Sequence, residues 1–342
     1  MHSLRELSKE AVLYQKLAGG KTRCLACAHR CVTAPGGAGR CGVRFNQGGA
    51  LMAPWGYISG AAADPIEKKP FFHALPGSRT LSFGMLGCNF HCEFCQNWDI
   101  SDARGRSHAP AETAPERLAR EALSRGLAAV VSTYNEPLIT AEWAAGVFAA
   151  ARAGGLRTAF VSNGYATPEA AAFLRPCLDF WKVDLKSFDA GKYRAVCGGE
   201  LEKVKAGLEL IKASGFWLEV VTLLIPGFND SAAETEAMAA YLAGLSRDIP
   251  WHLTAFHPDH RMTSVAPTPP ETLLRARDLA LKKGLRYVYC GNLPGRGGGL
   301  EDTVCPACSR KVVERTGFAV TANILGPGGV CPCGEKIPGV WN

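Results

Sequence analysis

The sequence lacks any long apolar run and any block of like charge. Its first residues, MHSLRELSKEAVLYQKL, are charged and amphipathic, so we expect neither a signal peptide nor a membrane-spanning helix there, and no membrane partner. The formal net charge of +7 is small for 342 residues, so an acidic partner such as RNA is allowed but not required. Without secretion, we expect the 14 cysteines to be metal ligands in a reducing cytoplasm rather than disulfide partners.

A nearby fourth cysteine is missing from the densest cysteine group. Cys88, Cys92 and Cys95 lie in GCNFHCEFCQNW with the spacing C-x3-C-x2-C, directly after the apolar run 81–86. A cubane iron–sulfur cluster normally takes four thiolates, so three on one loop would leave one iron open to another ligand. The spacing therefore predicts a cluster that takes part in the reaction itself rather than one that only carries electrons. A zinc site or a set of buried thiols is the alternative.

Two further cysteine groups lie towards the ends of the chain. The front group comprises Cys24, Cys27, Cys31 and Cys41. Its C-x2-C-x3-C-x9-C spacing suits either zinc or an auxiliary iron–sulfur cluster. The tail group comprises Cys305, Cys308, Cys331 and Cys333. It predicts a zinc ribbon, although its second pair is C-x-C rather than C-x2-C, which constrains the two sulfur atoms more tightly. The scattered cysteines are predicted to be buried apolar thiols: Cys177, Cys197 and Cys290.

The middle of the chain alternates strand-like and helix-like segments. Short apolar runs rich in β-branched or aromatic residues predict strands buried on both faces. These runs are 81–86, 128–134, 157–162, 180–185, 217–225, 251–256 and 287–290. The segments between them predict helices, several beginning near Pro and ending at Gly. This rhythm indicates a parallel sheet with right-handed crossovers, but periodicity alone does not separate a closed barrel from an open sheet.

The cysteine groups and the alternating segments predict three parts of the chain. These are a Cys-rich metal-binding segment (1–60), an α/β barrel (61–300) and a zinc-ribbon-like tail (301–342). In either arrangement of the sheet, ligands bind at the carboxyl ends of parallel strands. The three-cysteine loop follows the first predicted strand, which is where a cofactor site belongs.

The loop GCNFHCEFCQN resembles the cluster loop of the radical S-adenosylmethionine (SAM) enzymes, and the resemblance covers roughly residues 60–295. In that superfamily the amino and carboxylate groups of SAM chelate the open iron of a [4Fe-4S] cluster. The resemblance implies a partial (β/α)6 TIM-like barrel, with Cys88, Cys92 and Cys95 as cluster ligands. It implies a [4Fe-4S] cluster and S-adenosyl-L-methionine as cofactors.

Two later segments resemble the SAM-binding motifs of the superfamily. TYNEPLIT resembles the segment that holds the SAM amino group, which implies Asn135 and Glu136 as cofactor-binding residues, although the usual double glycine is replaced here. A carboxylate at that position can accept hydrogen bonds from an ammonium group. VSNGY resembles the segment near the SAM ribose, which implies Ser162 and Asn163. The alternative is a helix-starting Asn-Glu-Pro turn for the first segment and a plain strand-to-loop turn for the second.

A third segment, KVDLKSFD, resembles the D-x-K segment of the pyruvate formate-lyase activating enzyme branch. It implies Asp184 and Lys186 as catalytic residues. Residues two apart on a strand share a face, and an inward charged pair in an apolar run is costly without a bound partner. A solvated strand edge is the alternative. His257 and His260, in AFHPDHRM, follow a later strand as candidate proton donors or substrate contacts, although a structural role is the commoner one.

A narrower resemblance covers nearly the whole chain. The segments DPIEKKPFFHALPGS, CQNWDIS and TYNEP together resemble the radical SAM enzyme of the AmmeMemoRadiSam system. This implies reductive cleavage of SAM to a 5′-deoxyadenosyl radical, which abstracts hydrogen from an unidentified substrate, with RNA and protein both open. The implied partners are a low-potential flavodoxin- or ferredoxin-like electron donor, and Memo-like and AMME-syndrome-candidate-like proteins. A glycyl-radical-enzyme activase and a zinc-rich nucleic-acid-binding scaffold are the competing hypotheses.

Overall fold

Short antiparallel strands form the front of the chain in the computed structural model, which describes residues 4–103, 110–293 and 298–341. The strands are β1 (Ser8–Glu10), β2 (Tyr14–Lys16), β3 (Thr22–Cys24), β4 (Val32–Thr33), β5 (Phe45–Gln47), β6 (Ala50–Pro54) and β7 (Tyr57–Ile58). They include two three-stranded sheets, β1-β6-β5 and β2-β3-β4. Leu13, Val43 and Leu51 of this segment belong to the same hydrophobic core as the central sheet.

One large sheet forms the centre of the molecule. The next strands are β8 (Gly60–Pro65), β9 (Arg79–Gly84), β10 (Ala111–Glu112), β11 (Ala129–Ser132), β12 (Arg157–Ser162), β13 (Phe180–Asp184), β14 (Trp217–Leu224), β15 (Trp251–Ala255) and β16 (Val288–Gly291). β10 pairs with β7, and the other eight form a sheet in the order β8-β9-β11-β12-β13-β14-β15-β16. β8 is antiparallel to β9, and all other neighbours are parallel. The seven predicted strands are therefore all present.

Helices connect the parallel strands, as the alternating pattern predicts. They are α1 (Trp98–Ser101), α2 (Pro115–Ser124), α3 (Ala141–Ala153), α4 (Pro168–Leu174), α5 (Ala190–Lys192), α6 (Leu201–Ala213), α7 (Ala232–Leu245) and α8 (Pro270–Lys282). Pro begins α2, α4 and α8, where its fixed φ suits the first helical position. The Thr167 and Ser231 hydroxyls cap α4 and α7 by accepting backbone N–H bonds. Among the described residues, no helix combines the length and the apolar character needed to cross a membrane.

The sheet is a partial barrel. Within the described ranges its two outer strands, β8 and β16, are not paired with each other, so the barrel does not close through backbone hydrogen bonds. This confirms the predicted α/β partial barrel. The open arrangement leaves the carboxyl ends of β9 and β11–β16 along one continuous edge.

The tail contacts elements from both ends of this open sheet. It contains β17 (Thr303–Val304), β18 (Lys311–Thr316) and β19 (Ala319–Asn323) in one antiparallel sheet. At one end, the Tyr289 hydroxyl of β16 lies 3.0 Å from Thr303 Oγ1. At the other end, buried Arg315 donates to the backbone carbonyl of Phe72 at 2.7 Å. The Arg315 guanidinium also lies 4.2 Å from the centroid of the Phe72 ring.

Candidate active site

The loops after β9, β11, β12 and β13 meet around one cavity of about 410 Å³. This volume is typical of small-molecule and cofactor sites, which are roughly 300–1,000 Å³. The cavity is lined by every residue that the sequence predicts for cluster, SAM and catalysis: Cys88, Cys92, Cys95, Asn135, Glu136, Ser162, Asn163, Asp184 and Lys186. They come together because carboxyl ends of neighbouring parallel strands share one edge.

The Glu136 carboxylate ties the ends of two strands together. Oε1 accepts hydrogen bonds from the Ser162 hydroxyl at 2.7 Å and from the Leu138 N–H at 3.0 Å. Oε2 accepts the Asn163 N–H at 2.7 Å. Burial raises the pKa of Glu136 to about 7, although these hydrogen bonds oppose the shift. Since each carboxylate oxygen has two lone pairs, Oε2 retains acceptor capacity for a further donor.

Two asparagine amides form hydrogen bonds on either side of the first loop cysteine. Asn135 Oδ1 accepts the Met85 N–H at 3.1 Å, and its Nδ2 donates to the Gly87 carbonyl at 3.0 Å. On the far side, Asn163 Nδ2 donates to Asn89 Oδ1 at 2.7 Å. Both predicted cofactor-binding asparagines therefore position the cysteine loop, and Asn163 Nδ2 keeps one free N–H.

Asp184 lies between two lysines. Its carboxylate is 3.2 Å from Lys182 Nζ and 3.1 Å from Lys186 Nζ. Burial would raise the pKa of Asp184, but the two lysines lower it below its usual range. Lys186 Nζ also lies 5.7 Å from the ring centroid of Phe94 in the cysteine loop. Lys182 is a cavity residue that the sequence analysis missed, although its position two before Asp184 places it on the same strand face.

Comparison with known proteins agrees with this geometry. The model of the radical SAM superfamily matches residues 84–239, which run from the end of β9 into α7. The chain belongs to the radical SAM superfamily. Because members of this superfamily are enzymes, the assignment favours catalysis over the nucleic-acid-binding scaffold.

Three further proteins are similar to this radical SAM chain in sequence or in fold. It is 38% identical to an uncharacterized protein of Methanocaldococcus jannaschii over 333 residues, which are 96% of this chain and 98% of that protein. Over 65 residues it is 43% identical to the benzylsuccinate synthase activating enzyme of Thauera aromatica, covering 19% of this chain and 20% of that enzyme. The structure of a radical SAM methyltransferase from Sphaerobacter thermophilus has the same fold, with a TM-score of 0.52 at 16% identity, covering 73% of this chain and 75% of that one.

The cysteine loop fits the cluster that radical SAM enzymes use. Burial raises the pKa values of the Cys88 and Cys95 thiols, so their thiolates need a cationic partner to remain buried. Among the described residues, the only three or more ligand atoms within 4.8 Å of one another belong to the tail cysteines. The loop sulfur atoms are thus spread more widely than a single ion requires, which suits a multinuclear cluster.

A short π-helical turn, 193–197, forms hydrogen bonds to the cysteine loop. The sequence analysis did not predict it. The His91 N–H donates to the Cys197 carbonyl at 3.0 Å, and the Glu93 N–H donates to the Val196 carbonyl at 3.1 Å. Cys197, Cys177 and Cys290 are all buried, as predicted. In addition, the Cys197 thiol is hydrogen-bonded to Cys92, which raises the Cys92 pKa together with burial.

The two histidines predicted near a strand end lie outside the cavity lining. His257 Nε2 is 3.0 Å from Gln96 Nε2, and the His260 ring stacks on Trp98 at 5.4 Å. Both side chains therefore contact the segment that follows the loop cysteines. Gln96 itself lines the cavity, so the candidate roles of the two histidines remain predictions.

The tail cysteines form a compact site that could hold one metal ion. Cys305 Sγ lies 3.6 Å from Cys333 Sγ, and Cys308 Sγ lies 3.8 Å from Cys331 Sγ. Four thiolates at 2.3 Å from a tetrahedral zinc ion are about 3.8 Å apart. The C-x-C pair therefore does not prevent the four sulfur atoms from meeting in the geometry that zinc prefers.

We expect Cys308→Ser to lower the zinc content of purified protein by about one ion per chain, because a structural zinc site needs all four ligands. Plasma mass spectrometry of the purified protein measures this. Cys177→Ser is the control, since that thiol lies outside the tail and donates to the nearby Leu174 carbonyl. Equal zinc content in the two variants would contradict a zinc ion at the tail.

Proposed function

We propose that this chain cleaves SAM reductively and directs the resulting radical to a hydrogen atom of a substrate in the same cavity. The observation that carries the proposal is the convergence of the three loop cysteines with Glu136 and Asp184 on one cavity at the strand ends. When bound, the [4Fe-4S] cluster and SAM would supply a 5′-deoxyadenosyl radical, after one electron arrives from a flavodoxin- or ferredoxin-like donor.

In this proposal, Glu136 accepts a hydrogen bond from an N–H of the SAM amino group. Its Oε2 retains an acceptor lone pair, and a charge-assisted hydrogen bond there would favour the ionised carboxylate. Asn163 has a second side-chain N–H beyond the one that bonds Asn89. The Ser162 hydroxyl, on the preceding residue, donates to Glu136 and keeps acceptor capacity. These two side chains therefore offer one donor and one acceptor to the hydroxyl groups of a ribose.

Asp184 and Lys186 act from the neighbouring strand end. The Asp184 carboxylate keeps both flanking lysines paired, and the group of three carries a net charge of +1. Lys186 has donors beyond the one used by Asp184, so it can hold an anionic group of SAM or of the substrate. Apolar side chains beside the cysteines exclude water from the reacting centre; they are Phe90, Phe94 and Leu185.

Anaerobic turnover tests this function. Protein reconstituted with iron and sulfide, reduced, and mixed with SAM should release 5′-deoxyadenosine and methionine. A trial substrate labelled with deuterium should transfer the label into 5′-deoxyadenosine. Absence of cleavage in protein with a complete, reducible cluster would overturn the proposal.

We expect Glu136→Gln to weaken SAM binding to cluster-loaded protein about 10- to 100-fold, since a hydrogen bond to a charged group contributes roughly 1.5–3 kcal/mol. Because the Glu136 pKa is raised to about 7, the carboxyl loses its charge as pH falls through that value. Wild-type affinity should therefore fall towards acid pH, while that of the variant stays flat. Equilibrium dialysis across pH measures both effects.

The half-exposed Glu169, which pairs with Arg30, provides the control. Glu169→Gln removes a carboxylate of the same size outside the cavity, so it should leave affinity and its pH dependence unchanged. If Glu136→Gln matches this control, Glu136 does not bind the amino group of SAM.

A second candidate function is activation of a glycyl-radical enzyme, favoured by the 43% identity over 65 residues to an activating enzyme. Incubation with a candidate glycyl-radical protein should then produce the doublet of a protein glycyl radical in the EPR spectrum. The resemblance to the AmmeMemoRadiSam system makes Memo-like and AMME-syndrome-candidate-like proteins the first partners to test by co-purification. SAM cleavage stimulated by these partners, without a protein radical, would favour the first function.

A further inference from the structure

Two cavities are bordered by predicted ligands, and one of them has a part without an assigned role. The smaller one, of about 10 Å³, has room for about one water-sized sphere, and the metal of the cysteines that line it remains a prediction: Cys24, Cys27, Cys31 and Cys41. The larger one is the active-site cavity. Side chains of β14, β15 and β16 line its far part, which the proposed function does not use.

A buried glutamate in this part fixes the proton of a histidine. Glu219 Oε1 accepts the His73 N–H at 2.9 Å and the Trp217 Nε1–H at 3.0 Å. Oε2 accepts the Phe72 N–H at 3.0 Å and lies 2.7 Å from His252 Nε2. Burial would raise the pKa of Glu219, but these hydrogen bonds lower it below its usual value, so the carboxylate is ionised. An ionised carboxylate only accepts hydrogen bonds, and His252 Nε2 must therefore carry the proton.

The His252 ring is neutral and held in one orientation. The residue is buried at 2% exposure, and its ring stacks on the Tyr289 ring with centroids 5.2 Å apart. Burial lowers the pKa of His252, although Glu219 opposes the shift. The charges of Lys182 and Arg315 lower it further. A neutral ring with its proton on Nε2 has a lone pair on Nδ1.

His252 Nδ1 is an acceptor without a donor. Within the part of the chain that the structure describes, the hydrogen bond of this ring is the one made by Nε2. The neighbouring Tyr289 hydroxyl cannot supply a proton. It lies 2.5 Å from His73 Nε2 and donates there, because His73 Nδ1 donates to the Pro338 carbonyl at 2.7 Å. Since His252 lines the active-site cavity, a molecule bound in that cavity can provide the donor.

Lys182 limits the chemical class of this donor. Lys182 also lines the cavity and is the register partner of Glu219 in the sheet, so both side chains lie on the same face. Its ammonium is 3.2 Å from Asp184 and has further N–H groups to donate. Its positive charge disfavours a cationic amine beside it. A hydroxyl group can donate to His252 and accept from Lys182, whereas an amide N–H only donates and a carboxylate only accepts.

We propose that the substrate which shares the cavity with SAM carries a hydroxyl group, and that this group donates a hydrogen bond to His252 Nδ1. Lys182 donates to the same oxygen. Phe72 and His73, in the segment DPIEKKPFFHALPGS, act as positioning residues because their N–H groups hold Glu219 in its ionised form. That the bound alcohol is the substrate rests on the proposed function, whereas the His252 tautomer and hydroxyl binding do not.

Nitrogen-15 NMR of protein labelled at histidine tests the tautomer. In the oxidised, cluster-loaded protein at pH 7, His252 should give a neutral ring with its proton on Nε2. The signal is assigned by its loss in His252→Gln, or in His252→Asn if the glutamine variant does not fold. A proton on Nδ1, or a cationic ring, would overturn the proposal.

Ethylene glycol is the probe for hydroxyl binding. Added to the labelled protein with SAM present, it should move the His252 Nδ1 resonance saturably to lower frequency, as accepting a hydrogen bond does. Propylamine has the same number of non-hydrogen atoms but is cationic at pH 7, like the lysine side chain, and should cause no such shift. No shift with ethylene glycol, or an equal shift with propylamine, would overturn the proposal. A saturable shift in protein that does not cleave SAM would overturn only the proposed function.

Glu219→Gln tests the positioning role of Glu219. The glutamine amide would donate to His252 Nε2, so the ring proton should move to Nδ1 and the ethylene glycol shift should disappear. Glu234→Gln is the matched control, because Glu234 is also a buried glutamate but pairs with Ser187 and Lys192 outside the cavity lining. It should keep the wild-type tautomer and shift. If Glu219→Gln behaves like this control, Glu219 does not set the tautomer, and if it does not fold, the wild-type spectra decide the proposal.

Discussion

Replacing Cys88, Cys92 and Cys95 together by alanine should abolish SAM cleavage. Enzymes typically accelerate their reactions by 10⁶-fold or more, so we expect the rate to fall by at least about four orders of magnitude. All three thiols line the active-site cavity, and no other described cysteine except Cys290 shares that lining. The measurement is chromatographic assay of 5′-deoxyadenosine under strict anaerobiosis.

Cys177→Ala provides the control for this triple variant, because Cys177 is buried away from the cavity. It should retain full cleavage and full iron content. Cleavage by the triple variant at a rate near that of the control would contradict the assignment of the loop as the cluster site.

Breaking the buried ion pair between Arg44 and Glu142 should be the most destabilising change outside the active site. Arg44 Nη1 and Nη2 donate to Glu142 Oε2 and Oε1 at 2.7 and 2.8 Å, and both side chains are buried. Glu142 also accepts the N–H groups of Val12 and Leu13 at 3.2 and 3.1 Å. This single carboxylate therefore joins the front segment to α3. Removing one partner of a buried pair typically costs 3–5 kcal/mol.

We therefore expect Glu142→Ala to lower the free energy of unfolding by about 3–5 kcal/mol, measured by denaturant titration. Burial would raise the pKa of Glu142, but Arg44 lowers it below the ordinary value. The ion pair thus contributes fully above the ordinary carboxyl pKa of about 4.3 and is lost as pH falls through the lower, folded-state value. The wild-type protein should lose stability over that acid range more steeply than Glu142→Ala.

The exposed pair of Glu121 and Arg125 on α2 gives the matched comparison. Glu121→Ala should cost only about 0.3–0.5 kcal/mol, because an exposed i,i+4 pair is solvated and screened. If Glu142→Ala differed from Glu121→Ala by less than about 1 kcal/mol, the front segment would not depend on this ion pair.

Most of the sheet was predictable from the sequence because strands buried on both faces read as apolar runs. RTAFVS, for example, coincides with β12, and Pro168 marks the start of α4. The set of residues around the cavity was also predictable, since each motif follows a strand and parallel strands end at one edge. The role of Glu136 remains a prediction that Glu136→Gln would test, and the roles of Asp184 and Lys186 also remain predictions.

The long-range contacts were not predictable. Asn89 contacts Cys27 because the loop after β9 packs against the front segment. Cys197 contacts Cys92 because the same loop packs against the turn at 193–197. No local pattern marks such contacts, because they join residues far apart in the chain. The C-x-C pair of the tail was less informative than it looked. Its unusual spacing suggested a poorer site, yet the ribbon strands place all four sulfur atoms together.

The position of the tail has a consequence for how this enzyme could diverge. Glu301 and Phe318 of the tail line the cavity, far along the chain from the cysteine loop. Arg315 links the tail to Phe72, which also lines the cavity. Substitutions of Glu301 or Phe318 therefore change the cavity lining without altering the strand ends. The lining of one cavity is therefore encoded in two separate stretches of sequence, so that the tail can change while the strand ends are preserved.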